Sequence, residues 1–245
     1  MLFEIRAYAE TESTNDDALA LLGQPGAAGA VLVADFQRAG RGRRARAWIA
    51  PPGSSLLATT ILPQTVGRDA LWAVTLWTAL GVADGIEAAT GIRVDLQWPN
   101  DLLIDGRKCC GILCVSRVAG EGAWVGCGTG VNVLRPANDA ALAAIEPPPA
   151  FLSDQAPNVT RDEVLASILR AYEARLNDLT DPGKIARDWE RRAGLAGTPY
   201  RIQIDGEPTP FDAIARRLDD DGSLVVERDG RERRITLGDA RVLRG

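Results

Sequence analysis

The chain contains no histidine, and this absence excludes several kinds of catalysis. Without a single His among its 245 residues, the protein has no His general base, no Ser-His-Asp triad and no imidazole for a zinc site. The four cysteines lack C-x-x-C spacing and are predicted to be small, reduced core residues: Cys109, Cys110, Cys114 and Cys127. Chemistry must therefore depend on Lys, Arg, Asp and backbone N–H groups, with or without a metal held by oxygen atoms.

Long apolar segments and a positive charge balance are also missing. The most apolar region, near residues 71–82, is interrupted by Thr75, Thr78 and Gly81 and is too short to span a bilayer. The first twelve residues carry acids and no long apolar core, unlike a signal peptide. With 33 acidic and 28 basic residues and a net charge of −5, the chain lacks the basic surface typical of general nucleic-acid binding. We expect a cytoplasmic protein that does not associate with membranes.

Against this acidic background, one short segment is strongly basic. Five arginines fall within nine positions, interrupted by two glycines and followed by Trp48: Arg38, Arg41, Arg43, Arg44 and Arg46. No Asp or Glu occurs from residue 36 to residue 68, so nothing nearby in sequence neutralises them. Arginine offers a planar fork of donors, and glycine lets backbone N–H groups approach a ligand closely. We predict a loop, here called the arginine loop, that closes over a phosphate or carboxylate, although an RNA-contacting segment has a similar composition.

Apolar spacing and capping residues predict mixed helices and strands before a change of pattern near residue 197. Helices are predicted from Ser13 to about Gly23, over 68–90, from the capping box at Thr160, and over 182–193. Strands are predicted over 31–36, 55–62, 93–98, 108–118 and 124–128. Four later strands, over 200–204, 213–218, 224–228 and 234–237, are separated by Asp-Gly dipeptides typical of hairpin turns. We predict two domains, residues 1–195 and a small C-terminal β-barrel of residues 196–245.

Three further motifs place polar or flexible residues at the ends of these elements. The Trp-Pro-Asn-Asp sequence at 98–101 is typical of a turn, but Lys108 then precedes an apolar stretch, where a buried lysine needs an anion. The glycines at 126–130 permit close approach to a ligand, and Asn132 has the side chain that pairs with adenine. A β-bulge explains the glycines equally well. Helix capping by itself accounts for the Ser-Thr-Asn sequence at 13–15.

Taken in order, these motifs resemble those of the biotin protein ligases. The match runs over about residues 10–135: Ser-Thr-Asn, Gln-x-x-Gly-Arg-Gly-Arg-x-x-Arg-x-Trp, Trp-Pro-Asn-Asp, Lys-x-x-Gly-Ile-Leu and Gly-x-Gly-x-Asn. The resemblance implies an α+β fold with a mixed or antiparallel sheet flanked by helices, shared with lipoate ligases and related to class II aminoacyl-tRNA synthetases, and an SH3-like C-terminal barrel. It implies that MgATP converts biotin to biotinyl-5′-AMP with release of pyrophosphate. Biotin then passes to one lysine of the biotin carboxyl carrier domain of acetyl-CoA carboxylase or a related carboxylase.

The resemblance also implies roles for individual residues. The residues expected to bind biotin are Ser13, Thr14, Asn15, Gln37, Arg41, Gly42, Arg43 and Lys108. Those expected to bind the nucleotide are Arg41, Arg43, Arg44, Trp48, Asn100 and Asn132. Lys108 would lie between the biotin carboxylate and the α-phosphate, with Arg43 as a second catalytic cation. Asp101 is the candidate to orient a metal or to help deprotonate the acceptor lysine; no metal ligand is assigned.

Three departures and three alternatives accompany the resemblance. One departure is that Cys109 and Cys110 occupy positions often filled by other small or apolar residues. The family often has Lys where Gln97 stands and Gly where Ala45 stands. Because the Ser-Thr-Asn sequence begins at residue 13, we expect the form without an N-terminal DNA-binding domain and no operator binding; a homodimer is compatible with the family. A lipoate or octanoate ligase is the nearest alternative, although its Arg-Arg-x-Ser-Gly-Gly-Gly stretch is absent. A non-catalytic biotin or nucleotide sensor and an RNA-binding protein are the others.

Overall fold

Two β-sheets and four α-helices make up the regular structure that the computed structural model describes, which covers residues 2–138, 140–142, 144–237 and 240–243. The helices are α1 (Thr14–Leu21), α2 (Leu71–Thr90), α3 (Arg161–Arg175) and α4 (Pro182–Ala193). The first sheet contains β1 (Glu4–Thr11), β2 (Ala30–Gln37), β3 (Ser55–Ile61), β4 (Val66–Gly67), β5 (Asp95–Gln97), β6 (Asp101–Ile104), β7 (Arg107–Ala119) and β8 (Gly122–Asn132). The second contains β9 (Pro199–Ile204), β10 (Phe211–Leu218), β11 (Leu224–Arg228), β12 (Arg231–Ile235) and β13 (Ala240–Leu243).

The first sheet is mixed, as the resemblance implied. Its order is β1-β2-β3-β8-β7-β6-β5, with β4 paired to β8. Only the pairing of β1 with β2 is parallel among the described strands. The long β7 and β8 strands form its centre, joined at a turn where Gly120 has a φ of 57°. The predicted fold class is therefore confirmed.

Alternation along the strands gives the first sheet two different faces. On β2, Val31 faces the main core, which α2 covers, whereas Leu32 belongs to a smaller cluster with Ala18 and Leu22 around α1. Helix α2 is buried along most of its length, and its Trp77 stacks on Tyr172 of α3 with ring centroids 4.8 Å apart. Three helices thus cover one face, and most of the other face is left for α1 and the functional site.

Local signals predicted the helices well. Thr160 and Glu163 form the expected capping box, with Glu163 N–H donating to Thr160 Oγ1 at 3.2 Å and Thr160 N–H donating to Glu163 Oε2 at 3.0 Å. Helix α4 has the predicted bounds and is capped by Asp181, which accepts from Lys184 N–H at 2.8 Å. These helices begin where a side chain satisfies backbone donors of the first turn.

Some strands were missed or shifted. Strand β1, which was not predicted, is exposed over most of its length, with no alternation between buried and exposed residues. Strand β6, which follows the turn predicted at 98–101, was also missed. The strand predicted over 93–98 is confined to Asp95–Gln97, and β12 begins three residues earlier than predicted, at Arg231. Strand β13 had no sequence signal. Edge strands and short strands bury too few side chains on one face to give a recognisable alternation of apolar and polar residues in the sequence.

The second sheet is antiparallel throughout, in the order β12-β11-β10-β9-β13. The predicted hairpin between β11 and β12 is present: Asp229 and Gly230 have φ values of 53° and 72°, as a type I′ turn requires. Trp98 joins this sheet to the first, because its indole N–H donates to the carbonyl of Gly222 at 3.2 Å. The second sheet is thereby fixed beside the Trp-Pro-Asn-Asp sequence.

Three of the four cysteines lie in the core as predicted, and Cys114 departs from the prediction because it only packs against the core. All four are free thiols; three are buried, and Cys114 is partly exposed. Burial raises the pKa of the Cys110 thiol well above its ordinary value, so it stays protonated and inert. In the part of the chain that the structure describes, no helix combines the length and apolarity needed to cross a membrane.

Candidate active site

A cavity of about 330 Å³ lies at the arginine loop, and every residue that the motifs assigned lines it. These residues are Ser13, Thr14, Asn15, Gln37, Arg41, Gly42, Arg43, Arg44, Trp48, Asn100, Asp101, Lys108 and Asn132. They come from segments separated by up to 119 positions in the sequence, from residue 13 to residue 132. The cavity contains both cationic and amide side chains, a combination suited to an anion and a polar heterocycle.

One end of the cavity is formed by the start of α1, where the Ser-Thr-Asn sequence is almost completely buried. Thr14 N–H donates to Gln37 Oε1 at 2.7 Å, and Asn15 Nδ2 donates to the Leu113 carbonyl at 2.9 Å. Ser13 occupies the N-cap position, but its side chain makes no capping hydrogen bond. The interpretation that capping alone accounts for this sequence is therefore wrong, since its side chains are turned to other partners.

Lys108 and Asp101 form an ion pair inside the cavity. Lys108 Nζ lies 2.5 Å from Asp101 Oδ1, with the two side chains 26% and 18% exposed. The ammonium is also 5.4 Å from the centroid of the Trp48 ring, within the range of a cation–π contact. The predicted need of Lys108 for an anion is thus met by a carboxylate, at a place open enough for a ligand anion to share the cation.

Three arginines of the arginine loop, Arg38, Arg41 and Arg44, pair with acids that are remote in sequence. Arg38 contacts Glu10 at 2.5 Å and Glu12 at 2.6 Å on strand β1 and just after it. Arg41 pairs with Asp16 of α1. The absence of acids nearby in sequence is thus offset in the folded chain, because contacts over more than twenty residues bring these acids in.

The adjacent Arg43 and Arg44 diverge, because Arg44 has a left-handed backbone with φ 60°. Arg43 donates to Asn100 Oδ1 at 3.2 Å and to the carbonyl of Leu237. Arg44 reaches Asp205, at the turn after β9, with Nη1 2.7 Å from the carboxylate. Burial lowers the pKa of Arg43, and the charge of Arg44 lowers it further. The guanidinium of Arg43 nevertheless remains charged. Because it is partly buried beside another cation, binding of an anion next to it is favoured.

Trp48 lies flat against two neighbouring strands because glycines leave room for it. A Cβ atom at Gly130 would lie 2.6 Å from Trp48 Cε2, and one at Gly111 would lie 2.8 Å from Cζ3. The indole Nε1 is buried and has no hydrogen-bond partner in the described part of the chain. The pairing of β8 with β3 and β7 is regular here, so the β-bulge alternative is wrong; these glycines accommodate a ring.

The two asparagines of the motifs support the backbone around the cavity. Asn100 Nδ2 donates to the Ile112 carbonyl at 2.9 Å. Asn132 Nδ2 donates to the Lys108 carbonyl at 3.3 Å, and its Oδ1 accepts from Ser55 Oγ at 3.3 Å. Both contacts of Asn132 are long, so its amide can turn toward a ligand at little cost.

Several residues that line or adjoin the cavity escaped the sequence analysis. One group follows β8 and lines the cavity: Leu142, Ile145, Glu146, Pro147 and Pro149. Val242 of β13 is a contribution from the second sheet. Thr59, buried on β3, contacts two of the predicted binding residues. Loop apolar residues and a threonine in a strand are common in any protein, so no local signal distinguished them.

The residues present fit a nucleotide better than they fit a metal cage. The indole of Trp48, which lies against Gly111 and Gly130, is suited to a purine ring. The guanidinium of Arg43 is suited to a phosphate. No group of three or more His, Cys, Asp or Glu able to hold a metal occurs among the described residues. A magnesium ion would therefore be carried mainly by phosphate oxygens and water, as is usual for nucleotide-bound Mg²⁺.

Known proteins resemble this chain over most of its length. The model of the biotin/lipoate A/B protein ligase family matches residues 9–132. The biotin–acetyl-CoA-carboxylase ligase of Paracoccus denitrificans is 35% identical over 231 residues, covering 89% of this chain and 92% of that protein. The ligase of the same name from Mycobacterium tuberculosis is 30% identical, covering 98% and 90%.

Other relatives are longer or more distant. The bifunctional ligase/repressor BirA of Bacillus spizizenii is 33% identical over 203 residues, and the match spans 62% of its length. The biotin protein ligase of Aquifex aeolicus, solved with biotin and ATP, superposes with a TM-score of 0.78 over 99% of both chains at 22% identity, which supports the fold. The family predicted from the motifs is thus confirmed: this chain belongs to the biotin/lipoate A/B protein ligase family and, within it, to the biotin protein ligases.

Proposed function

We propose that this protein activates biotin with ATP, forming biotinyl-5′-AMP and pyrophosphate, and then transfers biotin to a lysine of a biotin carboxyl carrier domain. The observation that carries the proposal is that all the assigned side chains line one cavity. Its polar end at α1 suits the ureido ring of biotin, and its Trp48 side suits the adenylate. Lys108 contributes to the same cavity, where both reacting groups are anions.

Adenylation requires the biotin carboxylate to attack the phosphorus atom of the α-phosphate, whose oxygen atoms already carry negative charge. Lys108 and Arg43 would offset this repulsion as the new bond forms, by positioning and electrostatic stabilisation. Magnesium bound with ATP supplies further neutralisation of the phosphates. Asn100 holds Arg43 through a 3.2 Å hydrogen bond, so the guanidinium is already oriented before the nucleotide arrives.

Transfer requires the acceptor lysine to lose a proton before it attacks the mixed anhydride. Asp101 is the carboxylate nearest to Lys108, at 2.5 Å, and it is the proposed proton acceptor. Water must be kept from the anhydride during this step. The arginine loop, with Arg41, Gly42 and Arg44, would supply that cover.

Residues 1–195 and 196–245 are proposed to form two domains, the second docked on the first. In support, strands β9 to β13 pair only with each other among the described residues. The free thiols are compatible with the reducing cytoplasm in which we propose the enzyme acts.

The decisive test is pyrophosphate release from MgATP with biotin, lipoate or octanoate as the only added acid. We expect release that depends on biotin. Release with lipoate or octanoate in its place would assign the protein to the other ligases of the fold. No release with any acid, from a folded protein that binds biotin, would favour a sensor, and Gln97 and Ala45 would be the first residues to examine.

Loop closure predicts protection from trypsin. Adding biotin and MgATP should slow cleavage at Arg41–Arg46 by at least fivefold, measured by mass spectrometry of the fragments, because the phosphates bind these guanidinium groups. The Asp205→Asn substitution removes the ion pair between Arg44 and Asp205. It should speed cleavage in the absence of ligand by about two- to fivefold, the range expected for the loss of an exposed ion pair. Asp212→Asn is the matched control, since Asp212 pairs with Arg201 at 3.7 Å within the second sheet. Equal cleavage with and without ligands would contradict closure.

A further inference from the structure

We propose that Thr59 is a positioning residue that fixes the hydrogen-bond donors and acceptors of the biotin end and so selects an acid with a cyclic urea over a fatty acid. The inference rests on the proposed function and adds a residue that none of the sequence motifs contains. Thr59 lies in the middle of β3 and is 0% exposed. It would act through its neighbours, without touching the substrate.

Two contacts make the Thr59 hydroxyl the centre of a small network. Its Oγ1 lies 2.7 Å from Asn15 Oδ1 and 2.9 Å from Thr14 Oγ1. Asn15 Nδ2 in turn donates to the Leu113 carbonyl of β7 at 2.9 Å. Thr59 therefore joins α1 to the sheet at the residues proposed to bind the biotin ring.

The chemistry of these groups fixes the direction of each hydrogen bond. Because the amide nitrogen of Asn15 donates to a carbonyl, its Oδ1 is the atom that faces Thr59, and an amide oxygen only accepts. The single hydrogen of the Thr59 hydroxyl is thus committed to Asn15. In the contact between the hydroxyls of Thr14 and Thr59, Thr14 must therefore be the donor. This contact, at 2.9 Å, is shorter than the alternative contact from Thr14 Oγ1 to Gln37 Oε1, at 3.1 Å.

This arrangement presents a defined pattern to a ligand. With its hydrogen directed at Thr59, the Thr14 oxygen offers lone pairs to the cavity, which suits a urea N–H. The second amide hydrogen of Asn15 suits a urea carbonyl. An acid with only a hydrocarbon chain has neither group and would leave these polar atoms unpaired, which is how hydrogen-bonding sites reject analogues that lack the partner.

The test is Thr59→Val, which keeps the branched shape and removes the hydroxyl. We expect the KM for biotin, and the Kd for biotin measured by calorimetry without ATP, to rise about tenfold, the effect of losing roughly one net hydrogen bond. The kcat and the KM for ATP should change less than threefold, and any activity with octanoate should not fall. Thr59→Ser should restore biotin binding to within threefold of wild type.

Thr60→Val is the matched control, because Thr60 is the next residue on β3, is also buried, and points to the opposite face of the strand. It should leave biotin affinity unchanged. Equal loss in Thr59→Val and Thr60→Val, equal changes for biotin and ATP, or no rescue by serine would overturn the inference. Failure of the proposed function can be distinguished from failure of this inference. A wild-type protein that binds biotin but releases no pyrophosphate would contradict the proposed function, while the calorimetric comparison of Thr59→Val with wild type would still test the role of Thr59.

Discussion

Lys108→Ala is expected to lower biotin-dependent pyrophosphate release by about 10²–10³-fold, the usual cost of removing one group that stabilises transition-state charge. The lysine lies in the cavity 2.5 Å from Asp101, at a place where the carboxylate and the α-phosphate must meet. Its loss leaves two substrate anions and Asp101 with less positive charge between them. The decrease should appear mainly in kcat, since the lost interaction strengthens as the bond forms.

Lys184→Ala is the control for this prediction. Lys184 is also ion-paired, with Asp178 at 2.9 Å and Asp188 at 2.8 Å, but it lies on α4 away from the cavity lining. Its removal should leave pyrophosphate release unchanged. Activity of Lys108→Ala within threefold of wild type would contradict the assignment. Asp101→Asn adds a second comparison, because unchanged adenylation and unchanged transfer would remove the proposed role of that carboxylate.

Much of the site was predictable because the side chains that carry its chemistry are unusual for structure alone. A lysine before an apolar strand and arginines separated by glycine cost stability unless an anion, from the protein or from a ligand, compensates. Their order along the chain then identified the family. The helices were predictable for a different reason, since capping pairs such as Thr160 and Glu163 are local.

What could not be predicted depends on contacts between distant positions. Two of the acids that pair with the arginine loop lie far from it in sequence, since Asp16 is 25 positions from Arg41 and Asp205 is 161 positions from Arg44. Thr59 is unremarkable in a strand, where threonine is common; only the approach of α1, 44 positions away, gives its hydroxyl a role. Tertiary pairing of this kind leaves no pattern within a window of a few residues.

Gly128→Ala is expected to lower kcat/KM for biotin by about 10²-fold in a protein that still folds. The backbone of Gly128 is not in the left-handed region, so the effect is one of space. A Cβ atom here would overlap Asn15 Oδ1 and lie 2.7 Å from Asn15 Nδ2 and 2.6 Å from the Leu113 carbonyl oxygen. Because β8 is paired on both sides, at Thr59 and at Leu113, the strand cannot retreat, and the Asn15 side chain must leave its place.

Gly126→Ala tests whether the position, and not alanine in β8, causes the loss. Its Cβ would meet only side-chain carbons, Thr59 Cγ2 and Val115 Cγ2 at 3.2 Å and Ala18 Cβ at 3.4 Å, which can shift by a few tenths of an ångström. Biotin use should therefore stay within about threefold of wild type, and circular dichroism should show both variants folded. A hundredfold difference in kcat/KM corresponds to about 2.7 kcal/mol of lost transition-state stabilisation. Normal biotin affinity in Gly128→Ala would mean that Asn15 is not needed where the structure holds it, and the biotin end would have to be placed elsewhere in the cavity.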